Sequence, residues 1–434
     1  MTMVKRFVAA ALFTGAAFAA NADTAWMVLP RYSKSGRTML QCCRNTPKPR
    51  RLMLRLEKPE KDGKYRYLSI GQKDGFRFGG INECGVAAIY TGGGPMLDKN
   101  PPKSPQNFTG RRAVTEILRN CAGAAEAEAL LRAAAGKKLI EGALIIFVID
   151  RNHAWVIECS PDNFVSWELP HAFCVYSNLW KLPGMDGSST GTVERTLKNC
   201  QREWAVRETL RRRLDANKTI SFADSFAVSR LNTSDLNGEE YAKARSKTGA
   251  RKFDTAPHNS HSLDSYLIEV DPEFGELSCI FVAYGPARHT VYLPVPFGAA
   301  DALPEELFGE EWLNSAFARM KAAKPDDPVD PAIIGFETKL LAGFHKAREE
   351  ARWSLRHDKI DEARKILREC LKKQAAETFE FLKALPPPKR AEKPAAAEKP
   401  AAAEKPAAAE KSAAAEKPAA AEKPAAAEKP AAGK

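Results

Sequence analysis

The sequence predicts an α+β fold in which helices cover two stacked, mainly antiparallel sheets, an αββα sandwich followed by a helical hairpin and a disordered tail. Three observations predict it. Short runs rich in β-branched and aromatic residues come in hairpin-like groups, and segments of helical composition separate these groups. Further along, apolar residues recur at three- and four-residue spacing, and the chain then passes into a repeat of the hexapeptide AAAEKP.

The first 22 residues have the pattern of a signal peptide. Lys5 and Arg6 precede the apolar run Phe7–Ala20, and Ala20–Ala22 supplies small residues at the positions that the peptidase checks. We therefore expect a secreted or periplasmic protein whose mature chain begins at Asp23. An uncleaved anchor is the alternative, although the run is short for a bilayer.

The main domain is predicted over residues 23–325. Its expected helices are Gly110–Ala135, rich in Ala, Leu and Glu, and a long segment over Thr192–Leu214. The expected strands are Ala25–Leu29, Thr38–Leu40, Leu52–Leu56, Tyr65–Ile70, Val86–Thr91, Leu144–Ile149, Ala154–Glu158, Phe164–Trp167, Ser265–Val270, Leu277–Tyr284 and Thr290–Pro294.

A helical hairpin is predicted over residues 331–385. Ile333, Phe336 and Leu340 begin one run with helical spacing, and a second run follows from Ile360. We expect the break between them at Leu355–Asp358, and the pair either appended to the main domain or packed on it.

Residues 386–434 form a low-complexity tail built from the AAAEKP unit. Proline in every unit prevents a long helix, and alternating Glu and Lys keep the tail close to neutral. We expect a solvated spacer. It either tethers the protein in the cell envelope or has no ligand.

Composition argues against several classes of function. The net charge of +12 would favour acidic partners, but Lys and Arg lie beside Glu and Asp in many places. No basic stretch is interleaved with aromatic residues, so no nucleic-acid binding is expected. Nine cysteines are present without a CxxC pair, and no HExxH motif occurs, so neither a metal site nor a cofactor is predicted.

A series of segments in a fixed order resembles one enzyme group. The most distinctive is Gly80–Ala87, with the sequence GINECGVA. The others, in order, are Gly36–Leu40, Cys42–Thr46, Arg51–Leu54, Tyr65–Leu68, Tyr176–Trp180, Ser188–Ser189 and Arg195. This order resembles the choloylglycine hydrolase, penicillin V acylase and isopenicillin N acyltransferase group of N-terminal-nucleophile (Ntn) hydrolases, which act on amide C–N bonds. The resemblance extends over most of residues 23–300.

The resemblance implies a specific chemistry. In the group the first residue of the mature chain, usually Cys, is the nucleophile, and its own α-amino group activates it. An α-amino pKa of about 7.7–8.0 suits that role near neutral pH. Amide groups stabilise the oxyanion, and an Arg and an Asp near the nucleophile hold it in place.

This chain departs from that pattern at most site positions. Asp23 stands where the group has its Cys. In the alignment that needs no insertion, the group's Arg falls on Cys42, its Asp on Asn45, and an oxyanion Asn on Tyr90. The resemblance also places site residues at Asn178 and Arg195, which match the group. An alternative alignment places Arg44-Asn45 on the group's Arg-Asn, with two extra residues and Pro47 at the Asp position.

Several assignments of the nucleophile therefore stay open. Asp23 either binds a cationic ligand or merely follows the cleavage site, and Thr24 would be a nucleophile if one more residue were removed. Cys42 and Cys43 are a displaced nucleophile, a redox pair or structural residues. Asn178 is a site residue or a structural one.

Two main functions follow from this pattern. The first is an exported linear-amide hydrolase or acyltransferase acting on a small acylated amine or amino acid, with weak, altered or absent activity. The alternative is a non-catalytic binding protein on the same scaffold, held in the envelope by its tail. A structural envelope protein is the third hypothesis.

Overall fold

The computed structural model describes residues 23–45, 52–59, 63–72, 77–93, 96, 98–170, 172–185, 193–231, 262–308, 310–323 and 327–386. For residues 45, 193–198, 262–263 and 308 it describes the backbone alone. The predicted signal peptide and all but the first residue of the predicted tail lie outside these ranges.

The strands of the described residues form two antiparallel sheets. The first sheet has the order β10-β1-β2-β11-β12-β13 and the second has the order β3-β4-β5-β6-β7-β8-β9. In chain order the strands are β1 (Thr24–Val28), β2 (Thr38–Asn45), β3 (Leu52–Glu57), β4 (Tyr67–Gln72), β5 (Arg77–Asn82), β6 (Ala87–Gly92), β7 (Leu144–Ile149), β8 (Ala154–Cys159), β9 (Phe164–Glu168), β10 (Phe173–Tyr176), β11 (Ser262–Val270), β12 (Cys279–Tyr284) and β13 (Leu293–Pro296).

Helices cover the outer faces of both sheets. The α-helices of the described residues are α1 (Gly110–Asn120), α2 (Ala124–Gly136), α3 (Val193–Asn217), α4 (Phe222–Ser229), α5 (Glu310–Ala322), α6 (Pro331–Arg356) and α7 (Ile360–Ala384). Helices α1 and α2 pack on the second sheet, and α3 and α4 pack on the first. The order of layers is therefore helix, sheet, sheet, helix, which confirms the predicted αββα sandwich.

The strand pattern decides which side chains meet between the sheets. Ala25 and Met27 of β1 enter the core between the two sheets, whereas Trp26 and Val28 enter the core beneath α3 and α4. Successive side chains of a strand point to opposite faces, so both faces of β1 are buried. Asp23, one position before β1, therefore shares the inter-sheet face with Ala25.

The C-terminal helices α6 and α7 form the predicted hairpin, with its break where the sequence places it. Asp330 accepts a hydrogen bond from the Ala332 backbone as N-cap, and α6 ends at Arg356. Asp358 in the turn has a φ of +58°, which a helix cannot continue through. Apolar residues from both helices, such as Leu340 and Leu367, are buried in the same core as the inter-sheet residues. The hairpin is thus packed on the main domain.

Some elements differ from the prediction. The segment Gly110–Ala135 is two helices, because the Asn82 side chain donates to the carbonyls of Leu118 and Cys121 and the Asp150 carboxylate caps Ala124. These long-range contacts stop α1 and start α2 in a stretch of good helix formers.

Strands β5 and β10 and helices α4 and α5 are not in the prediction. β5 contains Gly79 and Gly80, which weaken a strand signal. The glycine is needed there, since a Cβ on Gly80 would lie 2.4 Å from the Leu68 carbonyl oxygen of β4.

Candidate functional site

The candidate site begins with an ion pair at the start of β1. Thr24 pairs with Cys43 across β1 and β2, which places Asp23 opposite Arg44. An Arg44 Nη nitrogen lies 3.6 Å from a carboxylate oxygen of Asp23, and both side chains are buried. Burial opposes the charged form of Arg44, but the Asp23 carboxylate raises the pKa of the guanidinium above its ordinary value.

Arg44 also connects the two sheets. Its guanidinium carbon lies 3.8 Å from the ring centroid of Phe78 on β5 and 5.9 Å from that of Tyr90 on β6. Aromatic faces attract a desolvated guanidinium. Its Nε and Nη1 atoms nevertheless have no hydrogen-bond partner among the described residues.

A second carboxylate flanks Arg44 from the other side. Asp264 of β11 pairs directly with Arg44 in the ladder between β11 and β2. Burial raises the pKa of Asp264 to about 7, the Asp23 carboxylate acts in the same direction, and Arg44 opposes both. Its Oδ1 atom is buried, and the part of the chain that the structure describes offers it no hydrogen-bond partner. Asp23, Arg44 and Asp264 thus form a row across three neighbouring strands, which we call the Asp–Arg–Asp row.

The two adjacent cysteines lie on opposite faces of β2. Cys42 faces the core between the sheets, and Cys43 faces the core beneath α3 and α4, with its sulfur 3.4 Å from the Ser265 hydroxyl. Burial raises the pKa of Cys42 well above its ordinary value and that of Cys43 to about 12. Both thiols stay protonated at neutral pH, and a protonated thiol is a poor nucleophile. Opposed side chains also do not suit a redox pair.

Thr24 points away from the Asp–Arg–Asp row. Its hydroxyl lies 3.3 Å from that of Ser177, which accepts a hydrogen bond from Arg202 Nε at 2.9 Å. These partners belong to the face covered by α3. The hydroxyl of Thr24 therefore does not share the inter-sheet face with Arg44.

Asn178 joins the ends of the two sheets just after β10. Its Nδ2 donates to the Gly92 carbonyl at the end of β6, at 2.7 Å. Its φ of +54° is unusual for a residue other than glycine, and within the described ranges its buried Oδ1 has no hydrogen-bond partner. Backbone strain together with an unused acceptor is typical of a functional position.

The structure describes the other residues that the sequence analysis singled out only in part. Tyr90 contributes its ring beside Arg44, and burial raises the pKa of its phenol to about 12, so it stays protonated at neutral pH. The side chains of Asn45 and Arg195 lie outside the described residues. Asn82 accepts hydrogen bonds from the backbone N–H groups of Cys84 and Val86, in the turn between β5 and β6.

The geometry corrects the alignment preferred from the sequence. That alignment gives Cys42 the place of an arginine beside the chain start, but the residue in contact with Asp23 is Arg44. The alternative alignment, which places Arg44 there, agrees with this contact.

Sequence reasoning missed Asp264 altogether. It lies in a strand whose inward residues are otherwise apolar or aromatic, such as Tyr266 and Ile268. A charged residue in such a strand is a signal from which a site residue could have been predicted. Its partner Arg44, however, is 220 residues away in the sequence, and only the fold shows that β11 pairs with β2.

The described ranges contain no group of three or more His, Cys, Asp or Glu residues arranged to hold a metal ion. Within the same part of the chain, no helix has the length and apolar character required to cross a membrane.

No protein-family model matches the chain, and no curated protein matches it in sequence. Solved structures do match. Penicillin V acylase from Agrobacterium tumefaciens is 12% identical, with 63% of this chain and 86% of that chain covered, at a TM-score of 0.33. Two variants of conjugated bile acid hydrolase from Clostridium perfringens are 11% and 12% identical. Each alignment covers 70% of this chain and 94% of theirs, at a TM-score of 0.39.

These matches are members of the same Ntn-hydrolase group that the sequence resembles.

Proposed function

We propose that this chain is an exported Ntn-fold protein of the amide hydrolase or acyltransferase kind whose site binds a small acylated amine or amino acid without cleaving it by the thiol route. The observation that carries the proposal is the buried ion pair between Asp23 and Arg44 at the start of β1. In the group that the sequence resembles, this is the place of the nucleophile.

The chemistry of the nearby side chains supports binding over cleavage. A carboxylate paired with a guanidinium is held as a weakly reactive anion. The Cys42 thiol, on the same face, has its pKa raised by burial, and the Thr24 hydroxyl lies on the opposite face. Among the described residues, none of these three candidates is placed as an activated nucleophile.

One observation favours amide hydrolysis as a second candidate function. Asp264 has a pKa of about 7 and could take a proton from water at neutral pH. A hydrolase that activates water in this way would need neither a thiol nor the α-amino group of the chain.

The sequence also supports export of the protein and its anchoring in the cell envelope. The pattern of residues 1–22 supports cleavage before Asp23, and the AAAEKP repeat supports a spacer that holds the protein in the cell envelope.

The test combines the N-terminus of the exported protein with a panel of N-acyl amino acids. Mass spectrometry would locate the first residue, calorimetry would measure binding, and amine release would measure turnover. We expect a chain that starts at Asp23 and binds members of the panel without releasing amine. A chain that starts at Thr24 or at a cysteine, and loses hydrolysis when that residue is replaced, would overturn the proposal. Hydrolysis that survives in a chain starting at Asp23 but is lost in Asp264→Asn would establish the second candidate instead.

A further inference from the structure

The chain crosses from the first sheet to the second directly after β10, in residues 177–182, which we call the strap. At its start, the Ser177 hydroxyl accepts a hydrogen bond from Arg202 of α3, the helix that covers the first sheet. One residue later, the Asn178 side chain donates to the Gly92 carbonyl at the end of β6, in the second sheet. The strap is thus attached to both sheets, and it carries Asn178.

The far end of the strap is held by one carboxylate. Glu158 of β8 is completely buried and accepts hydrogen bonds from the backbone N–H groups of Lys181 and Leu182, at distances between 2.8 and 3.2 Å. The hydroxyl of Tyr176, one residue before the strap, is also hydrogen-bonded to this carboxylate. Glu158 therefore contacts the chain at both ends of the strap and holds it against the second sheet.

The Lys181 ammonium group lies in the strap but is paired with another acid. Its Nζ atom donates to the Val175 carbonyl and lies 2.6 Å from a carboxylate oxygen of Glu203 on α3. Glu203 thus offsets the positive charge that would otherwise stabilise an ionised Glu158. The buried carboxylate is left mainly with uncharged hydrogen-bond donors.

The other neighbours of Glu158 add no positive charge. Its partners on the flanking strands, Ile145 of β7 and Val165 of β9, are apolar. Burial raises the pKa of Glu158 to about 7 in these surroundings. Burial also raises the pKa values of the titratable side chains beside Glu158 or the strap, which stay neutral near pH 7: Tyr176, Cys174 and Cys159.

This arrangement makes the attachment of the strap depend on one proton. A buried carboxylate is costly when ionised unless a cation pairs with it, whereas a protonated carboxyl group avoids that cost. Moving the strap away would admit water to Glu158 and remove the cost. Attachment is therefore firmest when Glu158 is protonated and weakest when it is ionised.

We propose that Glu158 is a pH-sensitive latch, which keeps the strap on the second sheet when protonated and lets it detach when ionised. Detachment breaks the contact between Asn178 and Gly92. Because Ala25 pairs with Tyr176 in the ladder between β1 and β10, the strap begins beside the start of β1. Its release therefore opens the candidate site from the side of β10.

The experiment is hydrogen exchange with mass spectrometry on the exported full-length protein at pH 6, 7 and 8. Rates for the Lys181 and Leu182 amides are corrected for the intrinsic effect of pH and compared with those of β7, whose buried amides report global unfolding. We expect the strap amides to exchange much faster than those of β7, through a local opening. The equilibrium constant of this opening should rise roughly tenfold between pH 6 and pH 8, because the pKa of Glu158 is about 7 in the attached strap and returns towards 4.5 in water.

Two variants sharpen the test. Glu158→Gln keeps a hydrogen-bond acceptor and removes the titration, so the opening of its strap should not depend on pH. The matched control Glu168→Gln, which changes an exposed acid near His153 at the end of β9, should keep the tenfold rise. If Glu158→Gln does not fold, the pH series on the unaltered protein still decides the question.

Exchange of the strap amides at the same rate as those of β7 would overturn the inference, because no local release would then occur. An opening constant that stays the same between pH 6 and pH 8, or the same rise in Glu158→Gln, would overturn it as well. None of these readouts requires a ligand. The inference and the proposed function can therefore fail independently.

Discussion

At the scale of single residues, the central fact is a carboxylate where a thiol is expected. Asp23 begins β1 on the inter-sheet face, and Arg44 holds it there from the next strand. An arginine that would stabilise a thiolate beside it stabilises a carboxylate equally well. Arg44 could therefore be the electrostatic partner of either residue at position 23.

The reverse substitution is the corresponding prediction. In Asp23→Cys, cleavage after Ala22 would leave a thiol with its own α-amino group as base, next to Arg44. We expect hydrolysis of N-acyl amino acids at least 100-fold above that of the matched control Asp23→Ala, measured by amine release. Equal rates for the two variants would show that the surrounding site no longer supports the reaction.

At the scale of elements, the hairpin is attached to the first sheet through a ladder of charges. Arg348 and Arg352 lie one turn apart on α6. Arg348 pairs with Glu269 of β11, and Arg352 pairs with Asp271, directly after β11, at 2.6 Å. Helical residues four apart and strand residues two apart have similar spacing, so the two rows align. The ladder fixes the hairpin against β11, the strand that carries Asp264 at its other end.

This ladder predicts a graded loss of stability. Arg348→Met leaves the buried Glu269 carboxylate without its main partner and should lower the free energy of unfolding by about 3–5 kcal/mol. Arg356→Met removes an exposed pair with Glu273 and should lower it much less, because solvent screens an exposed ion pair. Urea unfolding measures both. Similar values for the two variants would mean that the ladder does not hold the hairpin.

At the scale of the whole molecule, two buried carboxyls connect stability to pH. Glu158 of β8 accepts hydrogen bonds from the backbone N–H groups of Lys181 and Leu182, and burial raises its pKa from 4.5 to about 7. Burial raises that of Asp264 from 3.8 to about 7. Between these values each carboxyl binds more protons in the folded state than in the unfolded state, so its contribution to stability falls as pH rises. Buried His289, whose pKa burial lowers from 6.5 to about 4, acts in the opposite direction.

We expect each carboxyl to remove about 3–4 kcal/mol from the free energy of unfolding between pH 4 and pH 8. Urea unfolding at pH 4 and pH 8 measures this for each protein. Glu158→Gln and Asp264→Asn should each lose less stability, or gain more, between the two pH values than the unaltered protein, whereas the control Asp301→Asn, which changes an exposed acid paired with Arg368, should match it. The same change with pH in all four proteins would contradict the assignment.

Much of the architecture follows from local sequence. Short apolar runs rich in β-branched and aromatic residues, such as the one that forms β8, predict most strands, and the helical spacing from Ile333 onward predicts the hairpin. Elements without a strong period are missed. β5 is rich in glycine, and the division between α1 and α2 depends on side chains of Asn82 and Asp150 that are distant in sequence.

By itself the sequence determined the layered α+β fold, the hairpin and the unusual residue Asp23, because periodicity and residue identity are local properties. The tertiary structure alone decided that Arg44, and not Cys42, meets Asp23, and that Asp264 completes the row. Those contacts depend on the register of three strands separated by up to about 220 residues. A shift of one residue in that register would turn each of these side chains to the other face.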